Sequence, residues 1–307
     1  MNANPLAAAI AGEFGMPIVL RQGTLHFVSG YKLQTLWGFR EAAIFTLEGV
    51  GATTLAGCLL LGWATGVALG VALIAVAVLL LLSHLGHPAK ALLALRNVGR
   101  SWISNGTAVI GATTLLGALY VALHGLAGLP AGGGWSQAFA WLLVPAALFI
   151  LVYPGLVLSA SPAIPFWSSG LLPVLSLALG LSSGLCTLLA LLPPLGVAGA
   201  PVEGLGRWAL LSLGALAVCL AVYVAVMLQS VAAAYESAWR LLRREALLFW
   251  GGGCGLGLAL PALLLALTLG GQGPAAPLLA LGAAAKLSGD VALRYAIIKV
   301  GLFDPVF

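Results

Sequence analysis

The sequence predicts an all-α, polytopic integral membrane protein of eight transmembrane helices, arranged as two packed four-helix bundles. Three observations carry that reading. The chain is 62% hydrophobic and only 7% charged, with a mean hydropathy of +1.11, against about 25% charged residues in soluble domains. Eight stretches are long enough to cross the hydrocarbon core, which takes roughly 20 apolar residues. None of them alternates with a period of two, and lipid tolerates no open sheet edge, so each reads as a helix.

Taken in order, residues 1–39 form an N-terminal polar, interfacial segment. Met1 to Leu20 lacks the cationic start and compact apolar stretch of a signal peptide, so it is expected to stay in the mature chain. The spans fall near 40–62, 66–84, 106–128, 138–160, 171–193, 208–230, 246–269 and 276–298, within an eight-helix domain of 40–300. Residues 301–307 are a C-terminal tail. The connections "GWATG", "GLPAGGGW", "SASPAIPFWSSG", "LPPLGVAGAPVEGLGR" and "GGQGPAAP" carry the Gly and Pro of turns. An even number of spans returns both termini to one face.

That face gathers the cations. Arg21, Lys32 and Arg40 precede the first span; Lys90, Arg96 and Arg100 separate spans two and three. Arg240, Arg243 and Arg244 separate spans six and seven, and Arg294 and Lys299 close the last. The opposite face offers only Arg207. A bias of this kind marks a cytoplasmic face, so both termini are expected there. The same face has the long polar loops, which suggests a docked subunit met by Lys90, Arg96, Arg240, Arg243 and Arg244. These cations are spread among membrane-flanking loops and make no basic face, which argues against nucleic-acid binding. Cys58, Cys186, Cys219 and Cys254 stand alone in apolar stretches without a CxxC pair, so neither a disulfide framework nor a metal site is expected.

Charged groups inside spans are functional candidates, because each costs several kcal/mol unless paired or hydrated. Glu41 and Glu48 are seven residues apart and share one face of the first span. Lys286, Asp290 and Arg294 recur every four residues in the last span. Glu48 and Asp290 lie at similar depth, about 13 Å from the face that carries the termini. Spans one and eight are therefore expected to meet, with Glu48 compensated by Lys286 or Arg294. Such a set serves either as a structural network or as a route for protons and the wall of a polar pocket.

His84 and His87 end the second span, where an imidazole also suits a helix C-terminus. His124 closes the third span on the opposite side, about 27 Å from that span's start, so His84 and His124 cannot share a haem iron. No haem is expected. Tyr153 precedes Pro154 inside the fourth span, where the proline removes a backbone donor and bends the helix. Its phenol is either bonded to a neighbouring helix or a donor to a ligand carbonyl.

Three stretches, "HLGHPAKALLALRNVGRSWISN" (84–105), "YPGLVLSASPAIPFWSSGLLPVLSL" (153–177) and "LRYAIIKVGLFDP" (293–305), carry a family likeness. The first resembles the post-helix loop of the DMSO-reductase membrane anchor. The other two resemble the polysulfide-reductase and nitrite-reductase, or NrfD-type, anchors of the same superfamily. The first span and 194–290 match in hydropathy alone. The resemblance implies a quinone-reactive anchor in a prokaryotic inner membrane, without a metal or haem of its own. Such an anchor binds menaquinone or ubiquinone against a ferredoxin-like iron–sulfur subunit, which relays electrons to or from a molybdopterin catalytic subunit. Carried over, His84 matches the loop histidine implicated in quinol binding, Tyr153 the quinone-bonding tyrosine, and Trp37 the tryptophan heading the first span. Arg100 and its neighbours are expected to hold developing negative charge on the quinone. Two departures stand out. Glu41 and Ile44 replace the polar pair of the polysulfide type, and Gly106 stands where the DMSO type has an acid. Glu41 is expected to take over part of the polar role. The competing class is an ion- or proton-translocating transporter subunit built on Glu48, Lys286 and Asp290.

Overall fold

In the computed structural model the described residues are 31–83, 86–130, 133–195, 200–271 and 275–304. They run β1 (Lys32–Leu33), α1 (Phe39–Leu60), α2 (Ala64–Ser83), a 3-10 stretch (Pro88–Asn97), α3 (Trp102–Ala127), α4 (Gly134–Ser159) and α5 (Leu171–Leu191). Then follow a 3-10 turn (Pro193–Leu195), α6 (Ala200–Met227), α7 (Ala232–Arg243), a π-helical stretch (Leu247–Ala259) leading into α8 (Leu260–Leu269), α9 (Ala275–Lys299) and β2 (Leu302–Phe303). Eight segments are long and apolar enough to cross a membrane: α1 to α6, the π stretch with α8, and α9.

Three spans start earlier than hydropathy suggests: α3 at Trp102, α4 at Gly134 and α6 at Ala200. The physical reason is that a helix keeps its backbone bonds through the headgroup layer, so its polar first turn is invisible to an apolar window. The segment after α6, read as a loop, contains α7. Its sequence AAAYESAWRLLR is rich in Ala, Leu, Arg and Glu, all good helix formers.

Helices α1 to α4 pack as one bundle, and α5, α6, the π stretch with α8, and α9 as the second. The bundles meet where α1 and α4 press on α5 and where α1 touches α9, so spans one and eight do face each other. Missing side chains set the closeness of this seam and of the packing inside the second bundle. A methyl group added at Gly49 of α1 would stand 2.9 Å from the Cα of Gly180 in α5. One added at Gly289 of α9 would stand 2.2 Å from the backbone nitrogen of Gly257 in the π stretch.

The segments flanking the first and last spans come together on one face. Lys32 and Leu33 pair antiparallel with Phe303 and Leu302. The buried Gln34 side chain donates to the carbonyls of Trp37 and Ile298 at 2.8 and 2.9 Å and accepts from the amides of Leu36 and Trp37. The α4–α5 connection is tied in by Trp167, whose indole donates to Ile297 O at 3.1 Å, and by Tyr223, whose hydroxyl donates to Phe166 O at 2.5 Å. Tyr31 is half-buried here, and burial, helped by the Asp304 and Glu236 carboxylates, raises its phenol pKa above the usual 10.0.

Candidate functional site

The buried charged groups of α1 and α9 collect with Ser176, Ser183 and Tyr153 where the bundles meet, on the half nearer the β1–β2 pair. Counting from the helix ends, Arg294 and Ser176 lie about 8 Å in and Tyr153 about 9 Å in. Glu48 and Asp290 lie about 13 Å in, and Ser183 and Lys286 about 18 to 20 Å. The result is a ladder descending to mid-membrane.

Its deep end is closed by bonds. Lys286 donates to Asp290 Oδ1 at 2.5 Å, and Ser183 donates to the other oxygen, Oδ2. All three side chains are buried, so the pair has the geometry that a buried ion pair requires. The shallow end is different. Glu48 is 1% exposed, yet its Oε2 has no hydrogen-bond partner. Arg294 is 7% exposed and meets Ser176 Oγ at 3.4 Å through Nη1, while its Nε is unpartnered. Of the two cations expected to compensate Glu48, Arg294 does so and Lys286 does not. Lys286 is spent on Asp290, and among the described residues Arg294 acts on Glu48 through its field without an ion-pair contact.

Tyr153 is held from α3. A methyl group at Gly106 would lie 2.0 Å from its Cε2, so only a glycine leaves room for the ring. The ring also stacks on Phe149, with centroids 6.1 Å apart. Its hydroxyl makes no hydrogen bond among the described residues, and the charge of Glu48 is near enough to act on it. The departure at 106 therefore has a steric meaning: a side chain there and a tyrosine at 153 would compete for one space. Beside Arg294 a cavity of about 20 Å³ lies between α1, α4, α5 and α9, lined in part by Phe45, Pro154, Leu172, Ser176 and Ile297.

The other candidates are placed as follows. Glu41 closes the start of α1 by accepting the Gly38 amide at 2.6 Å. Trp37 packs between Phe45 and Trp167, at centroid distances of 5.8 and 6.3 Å. Arg96 and Arg100 are exposed on the connection between α2 and α3. His84 and the side chain of Lys90 fall outside the described residues. His124 sits near the far end of α3, its Nδ1 2.7 Å from Leu129 O. Arg243 and Arg244 are exposed, but Arg240 is not a surface cation: it is buried, with Nε donating to Glu236 Oε1 at 3.0 Å. A buried cation cannot meet a partner's surface, which corrects its expected docking role. Ser176 and Ser183 were missed because hydroxyls barely lower hydropathy, and Gln34 and Glu236 because they lie outside the predicted spans. The doublet "SS" at 182–183 was the available signal.

Eight apolar spans joined by a charged seam define a multi-pass membrane subunit. The chain belongs to the NrfD family: a family model described as "Polysulphide reductase, NrfD" matches residues 34–304. That match takes in the first span and 194–290, where the sequence had offered only hydropathy. Membership makes the chain a membrane subunit of polysulphide-reductase-type redox complexes. A search of curated proteins found no match.

Proposed function

We propose that the chain exchanges electrons and protons between a quinone, menaquinone or ubiquinone, and a ferredoxin-like iron–sulfur subunit serving a molybdopterin catalytic subunit. The observation that carries this reading is Tyr153: a phenol fixed in place by Gly106, with its hydroxyl unspent, in the field of an equally unspent Glu48 oxygen. Two-electron quinone chemistry moves two protons, and it needs a donor for a carbonyl oxygen and a group that holds a proton within reach. Tyr153 supplies the first and Glu48 the second. Glu41, Trp37 and Arg100 belong to the mouth of the site, and the family resemblance assigns His84 to the same role. Lys90 and Arg96 are the docking cations for the partner, and the cation bias makes their face cytoplasmic.

The cavity beside Arg294 has room for about one water, so a quinone ring enters only if the seam between α1, α4 and α9 opens. The transporter alternative has less support, since Asp290 is bonded by both Lys286 and Ser183. Replacing Tyr153 by phenylalanine tests the proposal. Quinone binding is expected to weaken by about 1–3 kcal/mol, the worth of a lost buried hydrogen bond, while dye-linked activity of the assembled complex is retained. His84→Ala is expected to abolish quinone turnover with the same dye control. Unchanged quinone kinetics in both variants would return these residues to packing roles.

A further inference from the structure

Helix α7 buries Ala233, Ala234, Ala238 and Leu241 together with the polar Glu236, Ser237 and Arg240. On its other side the half-buried Tyr235 and Trp239 and the exposed Arg243, spaced four apart, form a stripe. The Trp239 indole donates to the Tyr235 hydroxyl, and the Arg243 guanidinium lies 4.7 Å from the Trp239 ring centre. No carboxylate pairs with Arg243 among the described residues. Glu236 is taken by Arg240, and Glu245 by Lys299 at 2.7 Å. A few residues on, the chain enters the membrane with Leu247 85% exposed and Trp250 55% exposed. The Trp250 indole N–H approaches Leu242 O at 3.3 Å, which ties this ring back to the end of α7.

We infer that this edge binds the headgroup of an anionic phospholipid, its phosphodiester against Arg243 and Arg244 and its acyl chains against Leu247 and Trp250. The guanidinium fork matches phosphate oxygens, and stacking on Trp239 holds it in place before the ligand arrives. Tyr and Trp favour this headgroup level, where one part of the ring is wet and the other apolar. The helix dipole alone accounts for a cation at the end of α7, but not for the aromatic stripe beside it or the uncompensated charge. A lipid fits better than a protein surface because Leu247 and Trp250 lie within a membrane span, where acyl chains are the solvent. The site is independent of the quinone reading.

The test is native mass spectrometry of the membrane-extracted protein, with whatever subunits accompany it, titrated with phosphatidylglycerol or phosphatidylcholine. Wild type is expected to retain phosphatidylglycerol preferentially, and an Arg243→Gln/Arg244→Gln double variant to lose that preference by roughly fivefold per cation. Arg243→Lys, which keeps the charge but not the fork, is expected to lie between them. Equal retention of the two lipids by wild type overturns the proposal, and that comparison needs no variant to fold. Loss of an accompanying protein subunit from the double variant with lipid retention unchanged also overturns it, and assigns the face to that subunit.

Discussion

The two ends of the intramembrane ladder use the same residue types to opposite effect. At the deep end Asp290 has both oxygens bonded, one by Lys286 and one by Ser183. At the shallow end Glu48 keeps one oxygen without a partner, and Arg294 keeps Nε without one. Both ends are buried, so burial alone does not tell a structural charge from a working one. What separates them is whether the bonding capacity is used up. The closed pair on α9 is tied to α5 through Ser183, whereas an open one retains the capacity to bind and titrate.

The largest effect expected from this contrast is at the deep end. Asp290→Ala leaves Lys286 charged without a partner, which costs about 3–5 kcal/mol for a broken buried pair. Thermal unfolding in detergent reads it, and the Lys286→Met/Asp290→Leu double variant should regain most of the loss. Next comes the seat of the phenol. Gly106→Ala forces a methyl group into the Tyr153 ring and is expected to cost about 1–3 kcal/mol. In a Tyr153→Ala background the same change should cost far less, a coupling that a double-mutant cycle measures directly. The smallest stability effect is expected at the shallow end. Glu48→Gln removes a buried charge that has no ion-pair contact among the described residues, and should alter unfolding by less than about 1 kcal/mol. A melting temperature that falls in Glu48→Gln as far as in Asp290→Ala would erase the distinction.

Much of this architecture was legible in the sequence because lipid simplifies the rules. Eight apolar runs, their order and the meeting of spans one and eight all follow from hydropathy and charge spacing. The contact of α1 with α9 was visible from Glu48, Lys286, Asp290 and Arg294 alone. The Lys286–Asp290 pair fits the four-residue spacing on α9. That Arg294 stops short of Glu48 was not legible, because it depends on the approach of α1 and α5 that Gly49 and Gly180 set, and these glycines leave no signature in hydropathy. Helix α7 escaped because it is short and carries Glu and Arg, so no apolar window marks it. Gly106 was noticed as a departure, but its meaning needed the Tyr153 ring lying across it.

The central claim is that the open end of the ladder, and not the closed one, serves the quinone. Quinone turnover of the assembled complex carrying Glu48→Gln, measured against dye-linked activity, tests it most directly. The account expects quinone turnover to fall by at least about a hundredfold, the low end of what a positioned proton-transfer group contributes, with dye activity and melting temperature near wild type. Wild-type quinone turnover in that variant would contradict it.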